Sequence, residues 1–289
     1  MRKAPFATIP LLVLSAALGQ TPHAILHAHR TSPGDLAVGG ELKGQPPGTT
    51  LYIRYQDLLR LPQEEYAIND DTNFPSGARI SGVALHTLAR LFGRAEQSDL
   101  IVAECYDHYR TNYLPNYLAA HRPILVLRIN GQTREHWPPS EHGGPMGPYV
   151  ISHPVFKPAF KILEQTDEPQ VPYGVTRLEF LRAENVFRAI RPHGAFAAGS
   201  PVAQGFEIAK QDCFRCHNNG AAGGAMSGRS WSALAHIAAA DPEHFQQWIR
   251  DPRQLMPKAL GPPHPGYDEA TMNALTAYFK TFASAERKP

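Results

Sequence analysis

The chain has 289 residues, 43% of them hydrophobic, which is enough apolar material for two ordinary domains each with its own core. Lysine and arginine (28) nearly balance aspartate and glutamate (26), and the formal charge of +2 is spread along the chain, so no basic stripe points to nucleic acid. Three cysteines, Cys105, Cys213 and Cys216, are too few, and odd in number, for a disulfide-stapled fold.

The chain begins "MRKAPFATIPLLVLSAALGQ": Arg2 and Lys3, a short apolar stretch, then the small residues Ala17 and Gly19 before Gln20. That order is expected of an export signal over residues 1–19. Its apolar core is too short to span a bilayer comfortably, and no later segment approaches ~20 apolar residues. A periplasmic or otherwise exported protein is expected, soluble or loosely membrane-associated. "HAILHAHR", with His23, His27 and His29, has ligands for copper or zinc but is expected to lie in a flexible tail over residues 20–34.

Residues 35–182 mix strand and helix signals and read as an α+β domain. "TLYIRY" alternates, with Leu51, Ile53 and Tyr55 on one face, while "DLIVAECY" and "PILVLRI" are compact apolar runs suited to buried strands. "SGVALHTLARLFG" places Leu85, Leu88, Ala89 and Phe92 at helical spacing and stops at Gly93, which predicts a helix. Asn130 and Gly131 mark a tight turn after a strand. Residues 183–199, richer in Ala, Gly and Arg, read as a linker with some helical character.

The third region, residues 200–289, carries the strongest chemical signal. "SPVAQGFEIAKQDCFRCH" opens with Ser200 as an N-cap and Pro201 in the first turn, sets Val202, Phe206 and Ala209 on one face, and closes on Cys-x-x-Cys-His. A Cys₄ or Cys₂His₂ zinc site needs a second ligand pair, and none follows. A thioredoxin-like dithiol wants a strand before the motif and a helix after it, and here the order is reversed. The remaining reading is haem attachment. The thiols of Cys213 and Cys216 add to the vinyl groups, and His217 is delivered to one face of the iron. The downstream candidates for a second ligand are Met226, Met256, Met272, His236, His244 and His264. Met272 lies in a helix whose stripe is Leu275, Tyr278, Phe279 and Phe282, and reads as packing. Met256 is better placed. It follows a helix begun by Asp241 and Pro242 and ended near Asp251 and Pro252, and an extended "RQLMPKALGPP" holds it between prolines.

From about Ser200 to Phe282 the chain resembles a class I cytochrome c, an all-α fold: "GFEIAKQDCFRCH", "WIRDPRQLMP" and "YDEATMNALTAYFKTF" stand in that family's order. The resemblance implies one covalent haem c, His217 and Met256 as its axial pair, and Gly205 and Phe206 packed against Tyr278 and Phe279. It also suggests Trp248 beside a haem propionate. In one departure, "SGRSW" puts Arg229 where the family has proline, which leaves the second nitrogen of His217 to be accounted for.

The α+β region is similar to the molybdopterin-binding domain of the sulfite oxidase superfamily. It carries "YQDLLRLP", "ISGVALHTLARLFG", "ECYDHYRTNYLP", "LVLRINGQ" and "GGPMGPYVIS" in family order. The resemblance implies an enzyme that oxidises or reduces a small oxyanion at molybdenum and exchanges electrons with a haem domain. The departures fall on that chemistry. "YAINDDTNFPSGARI" has no cysteine where the family holds molybdenum, and Cys105 occupies a different strand and reads as a small buried hydrophobe. Asp70 and Asp71 in that loop, with Asp107, His108 and Tyr109 at a strand end, remain as site components, although the loop reads as a solvated turn. His136, His142 and His153 read as surface or capping residues.

Two functions follow as expectations. In the first, the protein is an exported monohaem electron carrier that serves a redox partner protein, and its α+β domain docks or binds without molybdopterin. In the alternative, it is a periplasmic molybdopterin-type oxidoreductase whose cytochrome domain accepts the electrons.

Overall fold

The computed structural model describes residues 24–140, 144–259 and 261–283. The expected export signal, His23 and His142 lie outside the described residues. Strands β1 (Leu36–Gly40) and β2 (Leu51–Ile53) precede a short helix α1 (Tyr55–Leu58). Then come β3 (Glu64–Ile68), β4 (Ala78–Ala84), α2 (Leu85–Leu91), β5 (Leu100–Cys105), β6 (Arg110–Tyr113), α3 (Pro115–His121) and β7 (Ile124–Ile129). β8 (Val150–Ser152), a small hairpin of β9 (Lys161–Ile162) and β10 (Gln165–Thr166), and β11 (Val175–Leu181) complete the region. One sheet has the order β2-β1-β11-β5-β6, with β1 and β11 parallel; the other is the antiparallel β3-β4-β7-β8.

The two apolar runs become β5 and β7, and their lack of alternation has a physical cause: each is buried on both faces. In β7, Leu125 and Leu127 enter the core shared by the two sheets with Leu36, Val38 and Ile53, while Ile124 and Val126 join Ile68, Ile80 and Met146 in a second cluster. In β5, Ile101, Ala103 and Cys105 enter the shared core, and Leu100 and Val102 point into a cluster with the C-terminal helices.

Three expectations need correction. The helix predicted over "SGVALHTLARLFG" starts only at Leu85, because Ser81–Ala84 pairs with β7. There the strands pass so closely that a Cβ on Gly82 would lie 2.0 Å from the Leu125 carbonyl oxygen. From Leu85 onward, Leu88, Ala89 and Phe92 bury as the spacing predicts. The tail expected over 20–34 is tied down from Ala24: His27 and Tyr52 exchange backbone hydrogen bonds of 2.8 Å, and the Asp35 carboxylate accepts from the Thr31 and Ser32 amides. Asp71 and His153, expected in a solvated turn and at the surface, are buried. Ser152 and Asn73 donate to the Asp71 carboxylate, and His153 donates to the Pro154 carbonyl, which offsets the cost of burying them.

The expected linker, 183–199, opens with α4 (Ala183–Phe187) and a 3₁₀ turn (Arg188–Ile190), and Phe187 and Ile190 are buried against the helices that follow. Those are α5 (Pro201–Gln211), α6 (Trp231–Ala240), α7 (Pro242–Arg250), α8 (Pro252–Leu255) and α9 (Glu269–Ala283). Helix α5 starts as predicted, with the Ser200 hydroxyl accepting from the Ala203 amide at 3.3 Å. It crosses α9 at Gly205, where a Cβ would sit 2.2 Å from the Ala274 carbonyl oxygen, and Phe206 packs on Tyr278 with ring centroids 5.8 Å apart. The sequence reading missed α6, whose alanine-rich stretch carries little periodicity. Its Ser230 cap accepts from the Ala233 amide, and Trp231 is buried among Phe214, Tyr278 and Phe279. A sheet-rich N-terminal region therefore precedes a helical C-terminal one, consistent with two domains.

Candidate functional site

After α5 the backbone tightens into a 3₁₀ turn over Cys213–Arg215. The amides of Cys216 and His217 both donate to the Cys213 carbonyl, at 3.2 and 3.0 Å. The glycine-rich loop behind the motif folds back over it: the Gly224 amide donates to the Phe214 carbonyl at 3.0 Å and the Ser227 amide to the Cys216 carbonyl at 3.0 Å. Only glycine fits at the closest approach. A Cβ on Gly224 would lie 1.7 Å from the Arg215 carbonyl oxygen.

Cys213 and Cys216 are free, half-buried thiols. Burial pushes Cys216 up to about 11, with Arg215 opposing and Asp107 and Asp212 adding, and it raises Cys213 as well. His217 lies 2.7 Å from the Arg229 carbonyl oxygen through Nδ1. A carbonyl only accepts, so Nδ1 carries the proton and Nε2 keeps its lone pair, with no hydrogen bond to it among the described residues. Burial lowers the His217 pKa, which favours the neutral imidazole. Arg229 stands where the resemblance implies proline, and its backbone carbonyl is the acceptor for His217 Nδ1 whatever side chain it carries.

The Arg229 side chain reaches in the other direction. Its guanidinium lies 3.9 Å from the centre of the Trp248 ring on α7. Trp248 donates its indole N–H to His244 Nε2, one turn earlier, at 3.0 Å. Asp241 caps α7 as predicted. The stretch after Pro252, expected to be extended, makes the single turn α8 before Met256 takes an extended conformation. Met256 is 43% exposed and, with Leu255, forms the exposed large apolar surface among the described residues of the helical region. Met272 is buried in α9, in keeping with its packing role.

Arg215, between the two cysteines, is only 7% exposed. Its guanidinium reaches Asp212 at 3.0 Å, Glu168 at 3.3 Å and the Tyr109 hydroxyl at 3.3 Å. Glu168 and Tyr109 belong to the sheet-rich region. Tyr267 donates to the other oxygen of Asp212 at 3.0 Å, and His264 lies 3.4 Å from Glu168. Burial opposes ionisation of Glu168, but His264 and Arg215 outweigh it and hold the carboxyl below its usual range. Burial is the larger effect at Asp212 and raises it. The sequence reading names Tyr109 and His264 for other roles and places none of these residues around Arg215.

The donor set fits a c-type haem: two free thiols three residues apart, followed by a neutral imidazole with Nε2 available. The loop after β3 presents carboxylates and no thiol. Asp71 is bonded to Ser152 and Asn73, and Asp70 accepts from the Phe156 amide. Cys105 is buried in the shared core, which raises its thiol well above the ordinary range.

A family model described as "Cytochrome C oxidase, cbb3-type, subunit III" matches residues 200–279. Among solved structures, the sulfane dehydrogenase SoxCD from Paracoccus pantotrophus is similar at 17% identity and a TM-score of 0.35, over 54% of this chain and 41% of that one. No curated protein matches the chain. No helix among the described residues is long and apolar enough to cross a membrane. The helical region is cytochrome-like, similar over residues 200–279 to that cytochrome subunit, and the similarity supports haem binding and electron transfer.

Proposed function

We propose that the protein is an exported single-electron carrier in which Cys213 and Cys216 hold one haem c and His217 and Met256 are its axial ligands. When bound, a haem ligated in this way supplies a one-electron couple and has no vacant position for substrate. The observation that carries the reading is the Nδ1 hydrogen bond from His217 to the Arg229 carbonyl, immediately after two free thiols. It orients the ring and leaves Nε2 for iron. Arg229 and Trp248 brace the loop behind His217 against α7, the helix that leads to Met256. The exposure of Met256 is in keeping with a side chain that a haem face would cover. The sheet-rich region serves for docking a redox partner or for binding, and it is held to the helical region through Leu100 and Val102 and through Tyr109 and Glu168.

The test is the exported protein itself. One haem per chain, retained after denaturation, is expected. Met256→Ala is expected to keep the covalent haem, lose the thioether-to-iron charge-transfer band and lower the midpoint potential. An unchanged band and potential in that variant would rule Met256 out as a ligand.

A further inference from the structure

Arg215 links two parts of the molecule that are far apart in sequence. Asp212 and Arg215 travel with the attachment motif, whereas Glu168 and Tyr109 reach it only when the sheet-rich region is docked. The hairpin tip that bears Tyr109 is also clamped to the loop behind the motif, because the Ala225 amide donates to the His108 carbonyl at 2.9 Å. Glu168 brings a further carboxylate to the Arg215–Asp212 pair beside the two cysteines, with His264 3.4 Å from it on its other oxygen.

We infer that Glu168, acting through Arg215, is a positioning residue by which docking of the sheet-rich region lowers the potential of the haem in the proposed carrier. The inference rests on the haem reading above. A negative charge near the iron favours the oxidised form, which carries one more positive charge, and partial burial limits screening by salt. Linkage makes the effect reciprocal: if docking favours the oxidised state, reduction weakens docking by the same free energy. Tyr109 contributes a hydrogen bond and no charge, so it separates electrostatics from simple contact.

The experiment is spectroelectrochemical titration of the holoprotein and three variants. Glu168 is 32% exposed on its side chain, so Glu168→Gln is a mild substitution. It is expected to raise the midpoint potential without altering the axial-ligand spectrum. Arg215→Gln, which removes the fixed positive charge beside Asp212 and Glu168, is expected to lower it. Tyr109→Phe is expected to leave it unchanged. If Arg215→Gln does not fold, since removing one member of a buried ion pair is strongly destabilising, the other two variants decide. An unshifted potential in Glu168→Gln, or an equal shift in Tyr109→Phe, overturns the inference. Proteolysis in the exposed segment 191–199 provides the reciprocal readout. Cleavage is expected to be faster in the reduced protein, with the difference reduced in Glu168→Gln; equal rates in both redox states of the unmodified protein count against the coupling. Failure of the haem reading would appear separately, as unmodified protein without covalent haem.

Discussion

His153 in the sheet-rich region and His217 in the helical one begin from the same local bond. Each presents Nδ1 to a backbone carbonyl oxygen, Pro154 at 2.6 Å and Arg229 at 2.7 Å, so each has its lone pair on Nε2. They differ in what surrounds that lone pair. His153 is 0% exposed, with Phe156 and His121 against its ring, and its Nε2 meets no partner among the described residues. His217 is half-buried and follows two free thiols. The cysteines divide in the same way: Cys105 fills space in a core, while Cys213 and Cys216 stand at a turn. Side-chain chemistry alone does not make a site; access to the reactive atom does.

The largest effect should come from exchanging thiols across this divide. Cys213→Ala with Cys216→Ala is expected to abolish covalent haem, read as loss of haem stain on a denaturing gel, whereas Cys105→Ala should leave the stain intact. If Cys105→Ala lost the haem as well, the contrast between the regions would fail.

Next in size are two glycines that serve the same purpose in different regions. Gly82→Ala in β4 and Gly205→Ala in α5 each drive a Cβ to about 2 Å from a backbone oxygen. Each should cost about 1–3 kcal/mol in urea unfolding, the usual scale for overpacking. Because β5 joins the two cores, both losses are expected within one cooperative transition. Two resolved transitions would mean that the regions unfold independently.

The smallest effect concerns pH. Burial lowers the His153 pKa below its ordinary value of about 6.5, so the unfolded chain takes up that proton first. The stability this residue contributes is therefore present above about pH 6.5 and declines as pH falls from there toward the folded value. His153→Phe is expected to give a shallower acid limb in unfolding free energy. The difference in slope should not exceed about 1.4 kcal/mol per pH unit, the one-proton limit. An unchanged limb would show that another group dominates.

The parts legible in the sequence were those encoded locally. Cys-x-x-Cys-His, the Ser200 and Asp241 caps, and the stripe of Leu275, Tyr278, Phe279 and Phe282 each follow from neighbours within a few residues, and the structure has the caps and the stripe as read. The acceptor for His217 was not legible because it is a backbone oxygen, indifferent to which side chain Arg229 carries. The Arg215 network was hidden for another reason. Tyr109 stands 106 positions away and Glu168 47, and no periodicity spans such gaps. The strand half of "SGVALHTL" was misread because what decides it is Leu125, a residue on another strand.

The two-faced burial of β5 also bears on how such a chain could be assembled or taken apart. A gene fragment ending near Leu181 would leave Leu100 and Val102 without their cover of Phe187, Ile208, Phe214 and Phe279. The strand would then present an apolar patch to the solvent, a feature that promotes aggregation in soluble proteins. Separating the two regions at this boundary would therefore require polar residues on the outer face of β5.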